Sequence, residues 1–431
     1  MRGLMKTTPT LSKVRTVSGV TEYKLSNGLR VLYRREKAAP VVAVCVTFHV
    51  GSRNEAPGHT GATHILEHLL FKDSKKFNKK NKKAITDYLE WFGAKINAST
   101  WLDCTNYHEL LPSEHAEAAI ELEADRMRGS LFSDADLASE MTVVRNEYER
   151  SRNNPFELLE EEMWGAAFTE HPYRIPTIGL KEDIEGSTAK KLREFYDQYY
   201  WPNNATVAIY GDISAKDAEA LVLKHFGPIP SSPEAIPEMT IVEPVQTESR
   251  AVSIAKPFGV SIVSLGYKIP EATHEDSPAV LALATILADG FSSRLQKKLV
   301  DTGLATDVSV SVPELRDPGF MTFTAQINEG VDLAKALTTM RKEILSVLKT
   351  PPDKQELARA VERILSHIAY DRDGVLTEVR AVSEAIAAGD WMLVYRAEEH
   401  IKAVRPSDIL RVAKQYLVAS GETSGILKNI A

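Results

Sequence analysis

The chain has 431 residues, 43% hydrophobic and 26% charged, with a formal net charge of −7. That length exceeds one ordinary core and calls for two or more domains. The acidic balance argues against nucleic acid as a partner, and no apolar run is long enough to cross a bilayer, so no membrane association is expected.

Only two cysteines occur, Cys45 and Cys104. The count excludes a disulfide framework, and both read as free thiols. The first nine residues hold no apolar stretch of the kind a signal peptide needs. A cytoplasmic location is expected, or a periplasmic one if a leader has been trimmed.

Residues 1–18 are polar and expected to be mobile. Residues 22–33 read as two short strands around an Asn27-Gly28 turn. Residues 41–50 form a β-branched run that suits a central strand. A loop, 51–58, leads to His64-Ile65-Leu66-Glu67-His68 inside an apolar helix, for which Gly61-Ala62-Thr63 is a plausible start with Thr63 as cap. Lys72 to Lys83 holds seven lysines, either a patch for acidic partners or, preferably, a solvated loop. A short amphipathic helix at 84–92 precedes paired strands at 93–103 and 105–111. Residues 115–127 and 135–152 follow helical periods, and Asn153-Asn154-Pro155 ends the second. A strand at 204–212 and a helix at 215–226 complete the first half.

Five prolines between 228 and 244 mark the best linker. The second half repeats the logic: a strand at 261–267, an apolar helix at 277–289, strands at 308–312 and 321–327, then helices to the end. The expected fold class is α+β, with two structurally repeated α/β domains, each a mostly antiparallel sheet packed against helices. The expected division is a mobile segment 1–18, a first domain 19–230, a linker 231–244, and a second domain 245–431 that lacks the histidine motif.

The motif carries chemistry. On a helix, His64 and His68 lie one turn apart on one face, so two imidazoles can point at one ion. Glu67 leans toward the same side and can hold a water molecule there. Two imidazoles, a carboxylate and an open position are what a hydrolytic zinc site needs, and His-x-x-Glu-His is a known catalytic zinc order. The bland alternative is a helix with two surface histidines. Buried titratable groups in so apolar a helix are costly unless something binds them. Further on, Glu140 and Glu147 stand two turns apart on one helix face.

Taken together, the chain resembles the pitrilysin/insulinase metallopeptidase family, in the two-domain branch that includes mitochondrial processing peptidase. The resemblance covers most of residues 20–230 and rests on Leu25-Ser-Asn-Gly-Leu-Arg-Val, Val50-Gly-Ser-Arg-Asn-Glu, Gly61 through Lys72, Gly93-Ala-Lys-Ile-Asn-Ala, Glu121-Leu-Glu-Ala-Asp-Arg-Met, Glu140 through Glu147, His171-Pro-Tyr and His225-Phe-Gly-Pro-Ile-Pro. Residues 245–431 match more loosely. The family's third zinc ligand is a glutamate some 75–80 residues past the second histidine; Glu147 stands 147 − 68 = 79 residues on. The resemblance therefore implies one zinc ion per chain held by His64, His68 and Glu147, with Glu67 as general base and then acid. It implies that Glu140 orients a ligand, and that the peptide adds as a strand along Asn97 and Ala98.

The chain departs from the family in one respect. Self-sufficient members carry an arginine and a tyrosine around a Gly-Leu-Ala stretch in the second half, where they stabilise the oxyanion. Here those positions fall on Leu299 or Val300 and on Thr306. Arg363 and Tyr370 have the right spacing but sit on a helix in the wrong place. The resemblance thus implies a heterodimer, in which a sister chain without zinc ligands supplies the arginine and tyrosine. A non-catalytic core subunit of the same family is the alternative.

Overall fold

The structure is a computed structural model and describes residues 8–430. It forms two compact units, each built on one sheet.

The first unit comprises 1–144, 177–239 and 371–387, of which residues 1–7 lie outside the described residues. Its strands are β1 (Leu11–Val17), β2 (Val20–Leu25), β3 (Arg30–Arg35), β4 (Val41–Phe48), β5 (Lys95–Thr100), β6 (Thr105–Pro112) and β7 (Ala205–Gly211). They lie in the order β1-β2-β3-β7-β4-β6-β5 and pair antiparallel, except that β3 and β7 run parallel. The β-branched run becomes β4, fully flanked by β6 and β7. Asn27-Gly28 turns β2 into β3 as expected; Gly28 has φ +94°, a conformation glycine adopts freely.

The expected mobile segment 1–18 is corrected where the structure describes it. Leu11–Val17 pairs with β2. Ser18 and Gly19 both take positive φ, 51° and 83°, the geometry of a tight hairpin turn whose twist matches the strands.

Against the sheet pack α1 (Ala62–Leu69), α2 (Ile85–Glu90) and α3 (Ala116–Gly129). The helix α4 (Asp134–Arg152) begins in this unit, and its residues 145–152 are counted with the second. The next helix, α5 (Pro155–Ala167), belongs to the second unit.

The second unit comprises 145–176, 240–370 and 388–431. Its strands are β8 (Arg250–Lys256), β9 (Ser261–Ile269), β10 (Ala305–Ser311), β11 (Gly319–Ile327) and β12 (Glu422–Asn429), ordered β10-β11-β9-β12-β8. The apolar helix Ser277–Ala288 fills its core with Val280, Leu283 and Leu287 against Leu265, Phe323 and Met340.

The linear division at 231–244 is corrected by two exchanged segments. Helix α5 packs on β8 and β12 of the second unit. There Gly425 leaves the room that Met163 fills, since an added Cβ would stand 2.6 Å from its sulfur. In return, helix Val375–Ala387 packs on β4 and β7 of the first unit, where Thr47 Oγ1 donates to Ser383 Oγ at 2.8 Å and Arg34 pairs with Glu378. Each helix buries its apolar side on the sheet that lacks a cover, whatever its place in the chain. No helix among the described residues is long and apolar enough to cross a membrane.

Candidate metal centre

Helix α1 is short, and its burial pattern explains it. Thr63, Ile65, Leu66 and Leu69 are buried, while His64, Glu67 and His68 are half-buried on the remaining face. Its start differs from expectation. Thr63 is not the cap; the helix begins at Gly61, with φ +85° and no side-chain cap of its own. The Glu55 carboxylate caps it from outside, accepting from Gly61 N–H at 2.8 Å, Thr63 N–H at 2.7 Å and Thr63 Oγ1 at 2.7 Å. Those donors would otherwise be orphans of the first turn. Burial pushes the Glu55 carboxyl up to about 7, against the pull of the Thr63 and Gly61 donors.

The two imidazoles meet as the spacing requires. His64 Nε2 and His68 Nε2 stand 3.3 Å apart, with ring planes crossed at 80°. Glu147 of α4 comes to the same point. One ligand atom from each of His64, His68 and Glu147 lies within 4.8 Å of the others, the one such group of three among the described residues.

Around a tetrahedral zinc with bonds of ~2.0–2.2 Å, donors sit roughly 3.3–3.5 Å apart. The imidazole separation already has that value, and a flexible carboxylate closes the rest. Burial, and then the neighbouring His68, lower the His64 pKa to about 4. A neutral ring keeps a lone pair to offer a metal. The donor set thus fits a zinc ion.

Glu140, two turns before Glu147, lies behind this group. Its Oε2 is 3.3 Å from His68 Nδ1, and its Oε1 is paired with Lys72. A carboxylate at Nδ1 holds the proton there and leaves Nε2 facing the other donors. Lys72 stands three residues beyond the end of α1, and no helix spacing marks it as a neighbour of Glu140. The Tyr107 and Tyr200 hydroxyls are buried and keep their protons well above neutrality, through burial first and also through the charge of Glu67.

Asn97 and Ala98 lie on β5, opposite His108 and Tyr107 of β6. β5 is the last strand of its sheet, so among the described residues one of its backbone edges has no strand beside it, and α1 packs against it. Asn97 is exposed and Ala98 buried.

Residues 30–181 match the model of the insulinase peptidase family M16, and residues 187–364 match the M16 inactive domain. Over 423 residues the chain is 31% identical to the zinc protease PqqE of Helicobacter pylori, spanning 94% of this chain and 91% of that protein. It belongs to the M16 peptidase family. The uncharacterized zinc protease YmxG of Bacillus subtilis is 28% identical over 77% of this chain and 78% of its own length. The crystal structure of a protease from Helicobacter pylori superposes with a TM-score of 0.88 at 30% identity, covering 97% of this chain and all of that one. Zinc and peptide-bond hydrolysis are thereby the chemistry of this chain's family. The half matched as the M16 inactive domain, 187–364, contains none of His64, His68 and Glu147.

Proposed function

We propose that this chain is a zinc endopeptidase subunit acting on peptides or unfolded segments. One observation carries the reading: the ligand atoms of His64, His68 and Glu147 converge within 4.8 Å, and Glu67 stands on the same helix beside them. These three side chains would hold the zinc, one ion per chain. When bound, zinc acidifies a water molecule and polarises a carbonyl. Glu67 takes a proton from the attacking water and hands it to the departing amine. Glu140 fixes the His68 ring through Nδ1. The peptide lies as an added strand along β5, using backbone hydrogen bonds near Asn97 and Ala98.

The partner follows from what the second unit lacks. Leu299 is buried in its core and Thr306 is exposed, its hydroxyl donating to the Gln326 carbonyl at 3.3 Å. Neither can serve as the arginine and tyrosine that hold an oxyanion. Arg363 is tied to Asp289 at 2.6 Å. A sister chain without zinc ligands supplies the pair, and the two work as a heterodimer, in the cytoplasm or the periplasm.

Two measurements test this. The purified chain should hold one zinc ion by elemental analysis, and a Glu147→Gln chain well below one. Cleavage of short unstructured peptides should be weak for the chain alone and rise on the order of 10²-fold when the sister chain is added, the scale of one oxyanion donor. Full turnover by the isolated chain would remove the heterodimer.

A further inference from the structure

The run from Lys72 to Lys83 carries seven lysines and one aspartate in a chain whose net charge is −7. A merely solvated loop needs no scaffold, and this one has a scaffold. Ser74 Oγ donates to Asp125 at 2.6 Å, and the Lys76 N–H donates to the same carboxylate at 2.9 Å. The Asn78 side chain accepts from Asn81 N–H at 2.9 Å and donates to the Ser74 carbonyl at 2.9 Å, which shapes the turn Lys79–Asn81. Phe77, with 0% exposure, plugs a small core shared with Leu89 and Leu122, against which Ile96 of β5 packs.

The loop is thus clamped between α3 and the edge strand. It also starts at the metal centre, because Lys72 holds Glu140, the carboxylate that meets His68. Lys76 is neutralised by Glu121 at 2.9 Å, and Lys83 rests over the Tyr88 ring at 5.0 Å. Lys79, Lys80 and Lys82 are exposed, and among the described residues no carboxylate pairs with them. Like charges held this close repel one another unless a counter-charge arrives.

We propose that this loop is a specificity element, which draws peptides with acidic side chains next to the bond to be cut onto β5. The inference rests on the proposed peptidase reading, since it takes β5 as the strand on which the substrate lies. Fixed cations beside a binding edge speed the arrival of carboxylates and disfavour basic competitors. A peptide fits better than an anionic lipid surface. Membrane-lying segments pair their lysines with an exposed apolar face, whereas the apolar residue of this loop, Phe77, is turned fully inward.

The test compares quenched fluorescent peptides of about ten residues, alike except that three glutamates, before or after the cleaved bond, replace three glutamines. The whole zinc-loaded protein together with its sister chain should cut one acidic series with kcat/KM about tenfold above the neutral one at low salt. Raising salt to 1 M, where the Debye length is about 3 Å, should bring the ratio near one. Changing Lys79→Glu, Lys80→Glu and Lys82→Glu together should reverse the ratio; being a ratio, it is blind to any general loss of activity. Equal cleavage of acidic and neutral peptides overturns the proposal and leaves the peptidase reading standing. So does binding of the protein to phosphatidylglycerol vesicles without peptide preference. If nothing is cut, fluorescence anisotropy of labelled acidic peptide on the Glu67→Gln protein decides. Preferential binding there upholds the loop's role while the peptidase reading falls, and equal binding sinks the loop's role.

Discussion

Exchanging Glu67 for glutamine is expected to lower kcat for peptide cleavage by about 10³-fold, in the range that loss of a general base or acid produces, while zinc content stays at that of the unchanged protein. The split between the two readouts is the point. Glu67 shares helix α1 with His64 and His68 but is not one of the three residues whose ligand atoms converge. Glutamine has nearly the same shape, so the fold of a helix that buries Ile65, Leu66 and Leu69 is untouched. It cannot accept and return a proton. KM should change little, because the loss falls on a step made only in the transition state. Cleavage retained at more than a tenth of the original rate would mean that another group takes the proton. Tyr107 and Tyr200 both feel the charge of Glu67, but their hydroxyls hold their protons too firmly to act as bases near neutrality.

Much of this molecule is written in short-range pattern. The β-branched run at Val41–Phe48 became the strand flanked on both sides, and the Asn27-Gly28 turn joined β2 to β3. The four-residue spacing of His64 and His68 set their rings 3.3 Å apart at Nε2. Other features depend on contacts that a local window does not contain. β12 has an unremarkable sequence, Glu-Thr-Ser-Gly-Ile-Leu-Lys-Asn, and is a strand because it fills the slot between β9 and β8. Residues 422–429 therefore carry no strand signal of their own at the end of a helical run.

The exchanged helices make the same point. Periodicity in Pro155–Ala167 and Val375–Ala387 says that one side must be buried, but it does not say on which sheet. The approach of Glu147 to the histidines is set by the fold across 79 residues, and in the sequence only the family resemblance pointed to it. Glu55 was equally hidden. It caps a helix from outside, six and eight residues before its donors, and no capping pattern describes that arrangement.

Glu55 leads to the second large effect, which acts on stability and on the metal together. Glu55→Ala strips the acceptor from three donors, Gly61 N–H, Thr63 N–H and Thr63 Oγ1, in a place where the residue is 8% exposed and water does not easily replace it. Each buried donor left unsatisfied costs ~1–3 kcal/mol, offset in part by removal of a buried carboxylate, so a net loss of about 3 kcal/mol in denaturant unfolding is expected. Because Thr63 adjoins His64, the loosened first turn should also weaken zinc, read as an affinity drop of about tenfold against a competing chelator.

Glu55→Gln separates charge from capping, since its carbonyl oxygen still accepts. The Glu55 pKa is raised from 4.5 to about 7 by burial first, with Asp183 adding to the rise. The folded protein then binds the extra proton across that window. The stability linked to this group is full below pH 4.5 and falls as pH rises through about 7. The unchanged protein should therefore lose stability relative to the Glu55→Gln protein between those limits, and run parallel to it above them, in metal-free unfolding curves. Parallel curves throughout the window would show that the three donors already hold the carboxylate ionised. Metal affinity unaltered in Glu55→Ala would show that the first turn of α1 is fixed by Thr60 and its bond to Asp183 at 2.7 Å instead.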